Sequence, residues 1–183
     1  LKGETLITAI GQGYVLTTPL QLAIMTARTV NGGYAVLPRS TRETIDTSDE
    51  IPTASSFPHI GISKRSRELV MHALDEAVNH PRGTAYSSRI QEPGKAFGGK
   101  TGTAQVRRIT MVERESGVRK NREKPWRERD HSLFVGYAPV DDPVFAVSVV
   151  IEHGGAGSKT AAPIARDILR ETQRLQLTQQ LAD

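Results

Sequence analysis

The chain has 183 residues, a formal net charge of +4, an apolar fraction of 37% and no cysteine. That length allows one domain with a real core, while the absent cysteine excludes disulfides and thiolate chemistry. No apolar run nears the ~20 residues of a membrane-spanning helix, and the mild basicity suits an acidic polymer or, more plainly, solubility.

The chain opens at Leu1 rather than Met, with no signal peptide, and reads as a piece of a longer protein. Leu6 to Ile10 form a short apolar stretch before the glycine turn Gly11-Gln12-Gly13. Thr18-Pro19-Leu20-Gln21 starts a helix. Thr18 sits at the cap, Pro19 at the first helical position, and Gln21 where a capping-box partner belongs. Leu20, Ile24, Ala27 and Val30 give it an apolar face, and Asn31-Gly32-Gly33 stops it. Tyr34 to Leu37 read as a short strand, and residues 39–62 as a polar excursion. Ser63 caps a second helix, with Leu69, Val70, Ala73, Leu74, Ala77 and Val78 on one face.

Residues 97–106 read as a strand entered through Gly98 and Gly99. Within it Lys100-Thr101-Gly102 offers an anionic acyl substrate an amine, a hydroxyl and a stretch of open main chain. Residues 107–130 are dense in charge without a period and read as a long mobile loop. It suits contact with glycan or a partner protein, or plain solvation. Ser132–Ala138 and Val144–Ile151 read as strands joined by the turn Pro139 to Pro143. The second is nearly all apolar, so it is expected to be central and covered on both faces. A glycine run at 154–157 leads to a helix from about Thr160, with Ile164, Ile168 and Leu169 as its buried stripe and a fraying tail from Gln176. The order predicts an α+β fold, helices packed on an antiparallel sheet.

Lys-Thr-Gly on a strand is one motif of the penicillin-recognising serine acyl enzymes. Its flanks Phe97-Gly98-Gly99 and Thr103-Ala104-Gln105-Val106 strengthen it, as do Thr18-Pro19-Leu20-Gln21, Gly83-Thr84-Ala85-Tyr86, Arg129-Asp130-His131, Gly136-Tyr137-Ala138-Pro139 and Glu152 to Gly157. On these the whole of 1–183 resembles the carboxy-terminal portion of one transpeptidase domain of the penicillin-binding proteins. Ala104-Gln105 and the Glu152–Gly157 run favour the elongation-type family, penicillin-binding protein 2; the septal type, penicillin-binding protein 3, is the nearest rival.

The resemblance implies a partial penicillin-binding, serine β-lactamase-like transpeptidase fold. It implies a peptidoglycan D,D-transpeptidase in which a serine acyl-enzyme cross-links stem peptides and is acylated by β-lactams. Lys100 and Thr103 would be catalytic, the Thr103 N–H serving as one oxyanion donor, and Thr101, Gly102 and Thr103 would bind substrate. No cofactor or metal is implied, and no two histidines have a dedicated metal-site spacing. Expected partners are stem peptides, β-lactams and proteins of the cell-wall elongation complex, with the parent anchored upstream in the inner membrane and this part on its periplasmic side. Neither Ser-x-x-Lys nor Ser-x-Asn occurs; Ser116-Gly117-Val118-Arg119 comes nearest to the first, and arginine is no base. The nucleophile is therefore expected upstream of Leu1, and this fragment alone should be inactive. A non-catalytic β-lactam sensor keeps the same pocket. A nucleic-acid-binding role for the basic loop fits poorly, since acids interleave its cations and no aromatic platform accompanies them.

Overall fold

A computed structural model describes residues 2–9, 11, 13, 15–39, 53–107 and 109–180. Most of the polar excursion at 39–62, the end of the first apolar stretch and part of the glycine turn lie outside the described residues. The apolar stretch near the start belongs to helix α1, Lys2–Ala9. Helix α2, Pro19–Val30, begins at the expected capping box, in which Gln21 N–H donates to Thr18 Oγ1 (3.2 Å) and Thr18 N–H to Gln21 Oε1 (2.8 Å). Asn31 closes it, its Oδ1 accepting from the Gly33 and Tyr34 N–H groups. The expected strand at 34–37 reduces to one bridge, Tyr34 with His59. Helix α3, Lys64–Asn79, is capped by Ser63.

The sheet comprises β1 (Gly98–Ala104), β2 (His131–Ala138) and β3 (Phe145–Ile151), antiparallel and in that spatial order. The apolar 144–151 strand is thus at an edge and β2 is central, contrary to the sequence expectation. Its nearly continuous apolar run, broken at Ser148, has another cause: both α2 and α5 (Ala161–Gln180) pack on β3. A strand covered by helices favours apolar residues wherever it stands in the order.

Strand alternation divides the core. Thr101 lies opposite Phe134 and Thr103 opposite Ser132 on one face, whereas Lys100 pairs with Val135 on the other. On the first face Phe97, Phe134 and Val149 meet Ala161, Ala162, Ala165 and Leu169 of α5. The expected stripe of α5 is therefore corrected. Ile164 and Ile168 are 39% and 44% exposed, and alanines make the contact because the first turns of α5 press close to the sheet. The helix also continues past Gln176, where fraying was expected, to Gln180. On the second face α3 approaches β1, and the buried Tyr137 donates its hydroxyl to Met71 O (3.3 Å). The face of α3 is narrower than its pattern suggests, since Val78 is fully buried and Leu69 is 68% exposed. No helix among the described residues is long and apolar enough to cross a membrane.

Candidate active site

Strand β1 pairs with β2 along one edge, and no other described strand pairs with it. Its first half is buried and its second half opens to solvent, with Lys100 and Thr103 exposed and Thr101 and Gly102 partly so. The Lys100 ammonium curls back to donate to the carbonyl oxygen of Thr101 (2.9 Å). Lys100 and Thr101 leave the strand on opposite faces, yet the four-carbon stem brings the amine round to the Thr101 main chain.

The glycines of this strand have a different origin from the one their bareness suggests. A Cβ on Gly98 would stand 2.7 Å from the Tyr137 ring, and one on Gly99 would strike the Phe134 ring and the Val135 carbonyl oxygen. Core aromatics of β2, not a ligand, occupy the space that a side chain there would need. At Gly102 the crowding comes from Leu133, 3.2 Å from an added Cβ. The main chain of Gly102 is approached by Gly157, whose own added Cβ would meet Gly102 O and Leu133 O at 2.5 Å. Gly157 therefore braces the main chain of β1 and β2.

A residue with no role assigned from sequence adjoins the site. Thr84 Oγ1 lies 3.2 Å from Thr101 Oγ1. Gly83 allows this, since a Cβ there would strike the carbonyl oxygens of Glu76 and Ala77 at 2.5 Å; the buried Ala85 donates its N–H to Ala77 O (2.9 Å). The signal was present in Gly83-Thr84-Ala85-Tyr86, which the sequence yields as a motif without a partner. Asn79 joins the same wall, its Nδ2 donating to Asp75 Oδ1 (2.7 Å) and Phe97 O (3.0 Å).

Where a long mobile loop was expected at 107–130, the described residues carry local structure tied together by charges. It contains α4 (Met111–Ser116) and short 3-10 turns at Asn121–Glu123 and Trp126–Glu128. Arg107 grips Glu113 with two nitrogens (2.6 and 2.8 Å) and reaches Glu128 (3.5 Å). Hydrogen bonds from Arg107, and then from the Thr110 N–H, pull the Glu113 carboxyl down to about 2. Lys124 is buried beside Asp130 (3.5 Å), which also accepts from Asn121 Nδ2 (2.9 Å). These partners come together through tertiary geometry, so no helical period announces them. Arg129-Asp130-His131 holds the segment: His131 Nδ1 accepts from the His153 N–H (2.9 Å), and His153 Nδ1 lies 2.9 Å from Arg129 O. Among the described residues no three His, Asp or Glu side chains cluster as metal ligands.

A family model described as penicillin binding protein transpeptidase domain matches residues 1–170. The chain belongs to this family. The peptidoglycan D,D-transpeptidase MrdA of Acinetobacter baumannii is 35% identical over 167 residues, covering 90% of this chain and 24% of that protein. Penicillin-binding protein 2 of Pseudomonas aeruginosa, solved with WCK 5153, superposes with a TM-score of 0.68 at 34% identity, over 92% of this chain and 33% of the other. The Helicobacter pylori protein of that name, solved with MreC, gives 0.70 at 26% identity, over 94% of this chain and 28% of the other. The chain spans about a quarter of the length of the curated relatives it matches. The likeness is to the elongation type, and the septal alternative is less supported. The α+β architecture is that of the penicillin-binding transpeptidase fold.

In this member of the family the described residues bring the Lys100 amine to the Thr101 main chain and the Thr84 hydroxyl to that of Thr101, without a competent nucleophile beside them. Ser116, at the nearest approach to a Ser-x-x-Lys motif, spends its hydroxyl on Val112 O (2.7 Å) at the end of α4. The buried Tyr137 phenol is no acid–base group at neutral pH, because burial, aided by Asp75 and Asp141, pushes it up to about 12.

Proposed function

We propose that residues 1–183 form the carboxy-terminal portion of the transpeptidase domain of an elongation-type peptidoglycan D,D-transpeptidase. The observation that carries this reading is Lys100-Thr101-Gly102-Thr103 on an edge strand whose amine and hydroxyls remain accessible. Family membership and the likeness to MrdA enzymes support it. A serine from outside these residues attacks the penultimate D-alanine carbonyl of a stem peptide. The terminal D-alanine leaves, and an amine of a neighbouring stem takes the acyl group. Water in place of that amine would make the same acyl-enzyme a carboxypeptidase, and a β-lactam acylates the same serine.

In this proposal Lys100 sets positive charge beside the substrate carboxylate and hydrogen-bonds the serine segment. The hydroxyls of Thr101 and Thr103 receive that carboxylate, Gly102 leaves main chain for the peptide to lie along, and the Thr103 N–H is one oxyanion donor. The parent works at the periplasmic side of the inner membrane, anchored through residues beyond these. Its partners are proteins of the elongation complex; the relative solved with MreC supports that assignment.

Fluorescent penicillin tests the reading. The full-length protein takes covalent label, the isolated 183 residues take none, and Lys100→Ala slows labelling by roughly 10²-fold or more without lowering the melting temperature. A full-length protein that never takes label, or a Lys100→Ala variant that labels at the wild-type rate, refutes it.

A further inference from the structure

Between the 3-10 turn at Asn121–Glu123 and the loop 153–160 runs a groove of about 650 Å³, inside the size range of ligand sites. Lys120, Arg122, Arg129 and Lys159 line it, and no carboxylate does. Among the described residues Lys120, Arg129 and Lys159 have no ion pair. Arg122 has one exposed contact, 3.7 Å from Glu123. Asp130, the acid next to this wall, is already committed to Lys124 and Asn121. Four like charges with only the exposed Glu123 contact among their partners repel one another, and an anion in the groove relieves that repulsion.

We propose that this groove binds an acidic peptide segment carrying two or more carboxylates. The proposal uses neither Lys100 nor the threonines of β1 and goes beyond the transpeptidase reading. The walls are pre-formed: Gly155 N–H donates to Asp130 O (2.9 Å), and His153 is tied to both Arg129 and His131. Of the four cations Arg129 is held by its Nε–H donated to Lys124 O (3.2 Å), while Lys120, Arg122 and Lys159 adapt to the ligand on flexible stems.

The donor chemistry separates a peptide from other anions. A single phosphate is commonly cradled by successive main-chain N–H groups. Here the N–H groups of His153, Gly154, Gly155, Lys159 and Thr160 are spent within the fold. Recognition falls to side-chain cations spread along the groove, which match carboxylates spaced along a chain. Single-stranded nucleic acid asks for successive aromatic platforms. Trp126, 57% exposed, instead meets the His153 ring edge to face at 4.4 Å and offers one apolar surface beside the cations. A peptide side chain fits that surface. The buried Ser132 lies between the groove and β1: it donates to Ala156 O (3.2 Å) and pairs with Thr103 across the sheet.

The test is fluorescence anisotropy with a rhodamine-labelled, amino-blocked tri-glutamate peptide and the full-length protein. Saturable binding that weakens with salt is expected, with no binding of the tri-glutamine counterpart. The double variant Lys120→Gln/Lys159→Gln should bind about tenfold more weakly while keeping its melting temperature and its penicillin labelling. No saturable binding, equal binding of tri-glutamine, or an unaltered double variant overturns the proposal. So does displacement of tri-glutamate by a single-stranded oligonucleotide or inorganic phosphate at lower concentration than by unlabelled tri-glutamate.

Discussion

Gly157→Ala probes whether the main chain of the Lys-Thr-Gly strand is braced as the geometry indicates. The new Cβ would lie 2.5 Å from both Gly102 O and Leu133 O and 3.0 Å from Gly102 N. A carbon–oxygen contact normally sits at ~3.3–3.6 Å, so each clash is short by about 1 Å. Every obstructing atom is main chain and no side chain can rotate away. Either the loop lifts off the sheet or β1 moves outward. Overpacking of this kind costs about 1–3 kcal/mol, and a displacement of ~1 Å at a reacting group can cost about 10²-fold in rate. Melting should fall by roughly 2–4 °C for each kcal/mol. Penicillin acylation should slow by one to two orders of magnitude, roughly, although Gly157 carries no functional group. Gly3→Ala is the control, since nothing lies within 4 Å of its added Cβ. Wild-type acylation and melting in Gly157→Ala would refute the bracing argument.

The other perturbations address the supports of the same strand. The Glu113 carboxyl is held at about 2, against 4.5 when unpaired, so the unfolded chain takes up a proton below pH 4.5 that the folded chain refuses. Its contribution is present above that pH and fades as pH falls towards 2; melting curves of wild type and Glu113→Gln should differ at pH 6 and converge near pH 2. The Tyr137 phenol is raised from 10.0 to about 12, so the stability it contributes is complete below pH 10 and falls as pH rises to 12. Tyr137→Phe should lose that part of the alkaline transition, as read by denaturant melts from pH 9 to 12. Ser132→Ala leaves the buried Ala161 N–H without its acceptor at 3.1 Å and should destabilise the domain by about 1–3 kcal/mol; an unchanged urea midpoint would contradict this.

What could be read from the sequence was local. The capping box of α2 announces itself because Thr18, Pro19 and Gln21 each act within one turn. Strand β1 was legible because Lys-Thr-Gly carries its chemistry in three adjacent residues. Features that depend on a distant partner were not. Gly98 and Gly99 are bare on account of Tyr137 and Phe134, more than thirty positions away, and their spacing is equally consistent with room for a ligand. The order in 107–130 rests on pairs such as Lys124 with Asp130 and Arg107 with Glu128, which follow no fixed period. The central place given to 144–151 failed because apolarity reports coverage of the faces, whereas position in a sheet is a matter of edges. The alanine contact of α5 escaped for a related reason: a helix that comes very near a sheet uses small residues, and the larger isoleucines point away.

The two sides of β1 are held very differently, and this bears on how a site there would operate. The main chain from Gly98 to Gly102 is clamped by Phe134, Tyr137, Leu133 and Gly157, so the carbonyls and N–H groups of that stretch have fixed positions. The Lys100 ammonium, by contrast, is exposed, and its one described hydrogen bond is to the neighbouring Thr101 carbonyl. A charge on four rotatable carbons with so weak a tether adopts the position that its partner dictates. The strand is therefore pre-organised in its main chain and adaptable in its cation. On the proposed function, the Thr103 N–H one residue past this stretch would serve as the oxyanion donor. On the same proposal, an acyl carboxylate or the serine segment would direct the Lys100 charge on arrival.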